Sequence, residues 1–171
     1  MSMVCGLTAV SEEEISELLA NPESLLDSSD EESESVESNE AASACVYLDK
    51  AWHGIHFLLT GSAWGGEEPL CYLLEGGEML DYENYPDGPP RVLRPDQIAN
   101  WANALSTISA EDLRKRFDPK AMMKAEIYPS IWDRDPEEDD TLGYLLGYYE
   151  PLRSFLEQAK KENRGAIITC G

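Results

Sequence analysis

One stretch of the sequence organises the rest of the chain: Leu48-Asp49-Lys50-Ala51-Trp52-His53-Gly54-Ile55-His56-Phe57-Leu58-Leu59-Thr60-Gly61. It contains both of the protein's histidines. With helical spacing, the apolar side chains fall on one broad arc, which indicates a helix packed against a core. The members of this arc are Ala51, Trp52, Ile55, Leu58 and Leu59. Asp49 is a favourable N-cap residue and Gly61 a favourable C′ residue, so we predict a helix from Lys50 to Thr60.

A narrow polar edge runs beside this arc, and it consists of Asp49, His53, His56 and Thr60. Imidazole titrates near neutral pH, so His53 and His56 could act as acid, base or metal ligand, with Asp49 fixing the tautomer of His53. A His-x-x-His pair supplies only two metal ligands, and a third would have to come from elsewhere. In the structural interpretation, which we favour, Asp49 caps the helix and each histidine bonds a backbone carbonyl.

Four further residues belong to this candidate site. Lys50 could bind an anionic group near the helix start, although a solvated or salt-bridged lysine is the simpler interpretation. Trp52 is better explained as a core residue than as a platform for a ligand. Tyr128 and Trp132 flank an aromatic, irregular segment that could line a cleft or form a packed lid over the core.

The chain is strongly acidic, with 34 acidic and 13 basic residues in 171 and a formal net charge of −21. This charge repels phosphate groups, so we expect neither nucleic acid nor an anionic membrane as a partner. A basic protein partner is compatible with it. The Ser/Asp/Glu-rich insert at about 27–42 has too few apolar side chains to offset its ordering entropy, and we predict a mobile, solvated loop there.

The sequence predicts a cytoplasmic protein without metal or cofactor. It has no signal peptide pattern and no apolar run approaching the roughly 20 residues that span a bilayer. The four cysteines form no Cys-x-x-Cys pair, and we expect all of them to be reduced thiols. They are Cys5, Cys45, Cys71 and Cys170.

The pattern of elements predicts one α+β domain over residues 1–171, with a small mixed sheet surrounded by several helices. Short apolar runs at 3–7 and 166–170 are expected to join the same sheet. Ser11, Ser109 and Asp118 are predicted helix N-caps. Pro151 is predicted to kink or split the last helix.

The central stretch closely resembles that of the YfbM-like family of small bacterial proteins of unknown function. The resemblance continues through Gly65-Gly66, Phe117-Asp118-Pro119 and Tyr128-Pro129-Ser130-Ile131-Trp132 to the last helix and strand. It covers nearly the whole chain apart from the acidic insert. The resemblance implies a single α+β domain in the bacterial cytosol, and it implies no particular activity. The insert and Pro151 depart from the family pattern.

Two functions follow from these observations, and the sequence leaves open whether the protein is an enzyme. The leading hypothesis is an acidic binding protein, of an immunity or regulatory type, that blocks a basic protein by charge complementarity. The alternative is a hydrolase-like enzyme for small molecules that uses His53 and His56. An open pocket lined by both imidazoles and a further carboxylate would favour the enzyme. Imidazoles buried against backbone carbonyls would count against the enzyme.

Overall fold

The computed structural model describes residues 2–23, 45–80 and 89–171, so the insert predicted at about 27–42 lies outside the described residues. The described elements, in chain order, are β1 (Cys5–Val10), α1 (Glu12–Ala20), β2 (Cys45–Asp49), α2 (Trp52–Thr60), β3 (Glu78–Met79), β4 (Arg91–Leu93), α3 (Pro95–Ser106), α4 (Ala110–Arg116), α5 (Pro119–Lys124), α6 (Thr141–Lys161) and β5 (Gly165–Cys170). One sheet and segregated helices confirm the predicted α+β class.

The sheet has the strand order β2-β1-β5-β4-β3. The first and last strands of the chain join the same sheet, as predicted, and they pair directly with each other. All described strand pairs are antiparallel, so the prediction of a mixed sheet was wrong. The connection between β4 and β5 explains this difference. Leu93, at the end of β4, lies opposite Ala166, near the start of β5. The connection of four helices between these strands therefore starts and finishes at the same end of the sheet, which makes β4 and β5 antiparallel.

The two ends of the chain are joined by a disulfide between Cys5 and Cys170. The prediction that all four cysteines are reduced was therefore wrong, while Cys45 and Cys71 are free. The cause is the register of β1 and β5, which places Cys5 directly opposite Cys170 although they are 165 positions apart in the sequence. Spacing along the chain cannot reveal such a pair.

The predicted central helix is present but begins later than expected. Leu48 and Asp49 end strand β2, and α2 starts at Trp52 with Ala51 as its N-cap residue. The prediction that Asp49 caps this helix was therefore wrong, because Asp49 pairs with Cys5 across the sheet. The predicted C-terminal end is confirmed, since Gly61 adopts a left-handed conformation and its N–H bonds the carbonyl of Phe57.

Helix α2 lies in the core, and its predicted apolar arc is buried throughout. Gly54 allows this close packing against α6 and the segment before it. A Cβ atom at Gly54 would lie 2.7 Å from Cδ2 of Leu145 and 3.0 Å from Cη2 of Trp132. Any larger side chain at this position would push α6 or Trp132 away from α2.

The three predicted helix N-caps are confirmed. Ser11, Ser109 and Asp118 each accept a hydrogen bond from a backbone N–H of the first helical turn. The predicted split at Pro151 does not occur, because α6 continues as a single helix across it.

No helix within the described ranges combines the length and the apolar character needed to cross a membrane.

Candidate functional site

The residues proposed from sequence lie around the turn that joins β2 to α2, and the structure separates them into different environments. We use the name aromatic cluster for Trp52, His53, Trp64 and Tyr128. We use the name tyrosine–aspartate cluster for Tyr47, Asp49, Tyr144 and Tyr148. His56 and Trp132 belong to neither cluster, because both are buried in the core.

In the aromatic cluster, rings from three separate segments stack on each other. The ring centroids of Trp52 and His53 are 5.0 Å apart, and those of Trp52 and Tyr128 are 5.8 Å apart. Trp64 lies beside both rings, with its centroid 4.5 Å from that of His53 and 6.5 Å from that of Trp52, and it is 63% exposed. The N-terminal segment closes the cluster, since the indole N–H of Trp52 donates to the carbonyl of Met3, whose own N–H donates to the hydroxyl of Tyr128.

Two backbone groups bind both ring nitrogens of His53. The N–H of Tyr128 donates to Nδ1, and the carbonyl of Ala63 accepts from Nε2, each at 2.8 Å. A backbone N–H can only donate and a carbonyl can only accept, so His53 is the neutral tautomer with its proton on Nε2. Burial lowers its pKa, although the Ala63 carbonyl partly opposes this effect. His53 therefore connects the loop after α2 to the segment before Trp132.

His56 lies one turn later on the same helix and is fully buried. Neither of its ring nitrogens has a hydrogen-bond partner among the residues that the structure describes. Burial lowers its pKa to about 4; the Gly65 backbone opposes this shift, and the positive charge of Arg91 adds to it. His56 is therefore neutral at physiological pH and is enclosed by the core.

Within the tyrosine–aspartate cluster, the Asp49 carboxylate is bound by tyrosines rather than by either histidine. The hydroxyl of Tyr144 donates to one carboxylate oxygen of Asp49 at 2.7 Å, and the hydroxyl of Tyr47 donates to the other at 3.4 Å. The Tyr144 hydroxyl also accepts from the backbone N–H of Lys50 at 3.1 Å. Burial and the hydrogen bond to Asp49 raise the pKa of Tyr144. Asp49 cannot fix the tautomer of His53, because the Tyr128 N–H occupies Nδ1 and the Ala63 carbonyl occupies Nε2.

The backbone of Asp49 is bent at the end of β2, with a φ of 47°. This left-handed conformation is uncommon outside glycine, and Asp and Asn tolerate it best. Next to it, Tyr144 and Tyr148 lie one turn apart on α6, with ring centroids separated by 5.2 Å in an edge-to-face arrangement. Tyr47 is 57% exposed. The cluster therefore presents aromatic rings and a carboxylate at the surface.

Lys50 and Trp132 have structural contacts of their own. Lys50 is half-buried, and its backbone, rather than its ammonium group, contacts Tyr144. The indole N–H of Trp132 donates to the carbonyl of Ile127 at 2.8 Å, and its ring lies against the backbone of Gly54. Of the two interpretations of this aromatic segment, the environment of Trp132 matches the packed lid.

No group of three or more His, Cys, Asp or Glu side chains within the described ranges is arranged to hold a metal ion. A groove of about 480 Å³ lies at the C-terminal end of α2, between this helix and the start of α5. Its lining includes Thr60, Arg116 and Asp118, and neither histidine contributes to it. Arg116 closes one side of the groove by donating to the carbonyl of Leu58 at 3.1 Å.

Sequence reasoning missed four residues of the two clusters: Tyr47, Trp64, Tyr144 and Tyr148. Two signals point to three of them. Alternation along 45–49 places Tyr47 and Asp49 on the same face of a strand. The spacing of Tyr144 and Tyr148 places them on the same face of a helix. The position of Trp64 over His53 has no such signal, because an irregular loop carries it.

Comparison with known proteins adds the family. A family model described as Domain of unknown function (DUF1877) matches residues 1–169. The chain belongs to this family. It is 23% identical over 170 residues to Protein YfbM of Escherichia coli (strain K12), covering 98% of this chain and 97% of that protein. A crystal structure of YfbM from Escherichia coli, described as a protein of unknown function, superposes with a TM-score of 0.71 at 22% identity. That superposition covers 98% of this chain and 99% of the other, and it shows a shared fold.

Proposed function

We propose that this protein is an acidic, non-enzymatic binding protein of the cytoplasm, and that its partner is a basic protein. One contrast supports the proposal. The two imidazoles, which are the best catalytic groups in the sequence, are enclosed, whereas carboxylates and tyrosines remain at the surface. In this role the protein would block or regulate its partner by covering a basic surface, as an immunity-type protein does.

The charge supports a basic partner in particular. The net charge is −21, and the segment 133–140 before α6 contains six acidic residues and one arginine. Arg134 pairs with Asp139 at 2.7 Å, which neutralises one of these carboxylates. Asp133, Glu137 and Glu138 are exposed, and no ion pair is described for them. Such unneutralised charge accelerates association with a basic surface, and this electrostatic attraction weakens as the salt concentration increases.

The hydrolase-like alternative needs an imidazole that can reach a substrate. The lone pair on Nδ1 of His53 accepts from the Tyr128 N–H, and the Nε2 proton is donated to the Ala63 carbonyl. His56 is fully buried. Either ring would require a rearrangement of the surrounding core or loop before it could act as a general base, and this makes the binding role the better supported of the two.

A pull-down from the source cell tests the proposed function. The tagged protein is used at low and at moderate salt, beside a variant that combines Asp133→Asn, Glu137→Gln and Glu138→Gln. A matched control combines Lys115→Gln, Lys120→Gln and Lys124→Gln, which changes the charge by the same amount in the opposite direction. We expect the wild type to recover one specific basic protein and the first variant to recover less of it. Circular dichroism checks that the variant is folded, so that the loss can be attributed to the missing charges. Recovery of no specific protein at either salt concentration would contradict the proposal.

A further inference from the structure

The tyrosine–aspartate cluster has the chemistry that recognises a guanidinium group. A carboxylate offers about four acceptor positions, and the described hydrogen bonds from Tyr144 and Tyr47 use two of those on Asp49. An arginine side chain can therefore still donate to the same carboxylate. The two tyrosine donors hold the carboxylate in place before a partner arrives, so little side-chain entropy is lost on binding.

The surrounding rings complete this arrangement. Tyr47 is 57% exposed on β2, and Tyr144 and Tyr148 are half-buried on α6, where their rings meet edge to face. A guanidinium group stacks well on an aromatic ring because it is planar and weakly hydrated. The molecule already contains one such pair, with the guanidinium carbon of Arg153 5.6 Å from the ring centroid of Tyr149.

The charge around the cluster indicates the sign of the occupant. Asp140, which caps α6, lies one turn before Tyr144 and ends the acid-rich segment. The first basic residue of α6 itself is Arg153, which already pairs with Glu150 at 2.9 Å. Lys50 is the cation next to Asp49 in sequence, and only its backbone N–H is bonded to the cluster. A positively charged side chain is therefore the complementary occupant.

We propose that the tyrosine–aspartate cluster is the surface on which this protein docks its partner, and that it receives an arginine side chain of that partner. Asp49 provides the carboxylate, and Tyr47, Tyr144 and Tyr148 provide the stacking surface. This inference rests on the proposed function, because it names the surface through which a basic protein is bound.

The test uses the full-length protein and two synthetic peptides of equal length and charge, one containing arginine and the other lysine. Binding is followed by NMR, through backbone amide signals and the ring signals of tyrosine. We expect the arginine peptide to shift the signals of Tyr47, Asp49, Tyr144 and Tyr148 first, and to bind several-fold more tightly than the lysine peptide.

Asp49→Asn is the decisive variant. Asparagine suits the left-handed backbone at this position and can still accept from a tyrosine hydroxyl, so the fold is retained. We expect Asp49→Asn to weaken binding of the arginine peptide about tenfold, since a hydrogen-bonded charge is lost. Asp133→Asn removes the same charge at an exposed position outside the cluster, and we expect it to change the affinity for the arginine peptide less than about twofold.

The outcomes separate the two proposals. Equal weakening by both variants, with shifts spread over the acidic surface, would overturn the arginine site and leave the basic-partner function standing. Absence of binding to either peptide, even at low salt, would overturn both. Shifts at the cluster that depend on protein concentration without peptide would assign the surface to a second copy of this chain, and would also overturn the arginine proposal.

Discussion

The histidines of α2 and the tyrosine–aspartate cluster lie on either side of one turn, yet they are used in opposite ways. His53 and His56 have the more versatile chemistry, and the fold encloses them. Tyr47 looks ordinary in the sequence and Asp49 was expected to serve the helix or His53, yet the fold leaves both at or near the surface, joined by a hydrogen bond. The chemical type of a residue indicates what it can do, whereas its environment decides whether a ligand can reach it.

The tryptophans differ in the same way, and the largest expected effect concerns Trp132, one of the three that are buried. Trp132→Ala should lower the free energy of unfolding by about 3–5 kcal/mol, because it opens a cavity beside Gly54 and α6. The hydrogen bond to Ile127 is also lost, although the carbonyl of Ile127 keeps a second donor in the N–H of Ser130. Urea denaturation at neutral pH measures this change. A loss below about 1 kcal/mol would contradict the buried position.

Acid should destabilise the enclosed region through His56. Its pKa is about 6.5 when unfolded and about 4 when folded. Above pH 6.5 both states hold the neutral ring, and the full stability is present. As pH falls below 6.5, the unfolded chain binds the proton first, so stability falls by about 1.4 kcal/mol per unit, at most about 3.5 kcal/mol in total. The lowered pKa of His53 acts in the same direction.

The matched variant for this effect is His56→Leu, which removes the titrating group. Urea denaturation of both proteins at pH 7.5, 6.0 and 5.0 gives the difference between them, in which shared carboxylate effects cancel. We expect the wild type to lose about 1–2 kcal/mol more than the variant between pH 7.5 and 5.0. Parallel pH profiles would show that His56 is not enclosed as described.

The two histidines should themselves differ at pH 7.5. His53→Leu leaves the N–H of Tyr128 and the carbonyl of Ala63 without their partner, and should cost about 2 kcal/mol. His56→Leu removes no described hydrogen bond, so its free energy of unfolding should stay within about 1 kcal/mol of the wild type or rise. Equal losses in the two variants would be inconsistent with their different environments.

The smallest effect is expected at the exposed tryptophan. Trp64→Ala removes a ring that stacks on His53 but is largely in solvent, and should cost less than about 1 kcal/mol. Thermal unfolding by circular dichroism, run beside Trp132→Ala, provides the comparison within one protein. A loss as large as that of Trp132→Ala would place Trp64 among the core residues.

Features that depend on neighbouring residues could be predicted from the sequence. The capping hydroxyl of Ser11, the end of α2 at Gly61 and the buried arc of that helix all follow from local spacing. The α+β class also follows from the pattern of elements, and the resemblance to the YfbM-like family agrees with the family that matches the chain.

The candidate site shows where local reasoning ends. Asp49 is a residue type that is favoured at helix N-caps, but pairing with β1 makes it a strand residue. Its carboxylate lies against the hydroxyl of Tyr144. His53 was expected to bond a carbonyl, and it does so through Ala63, but the donor from Tyr128 lies 75 positions away along the chain. A local pattern contains no information about such a partner.

Composition and local spacing account for the acidic charge, the apolar face of α2 and several helix ends, because these depend on residues within one or two turns. The folded chain alone reveals that Cys5 meets Cys170, that His53 is held as one tautomer, and that Asp49 bonds Tyr47 and Tyr144. These contacts depend on strand register and on the packing of α6 over the sheet, which bring together residues that are distant in the chain.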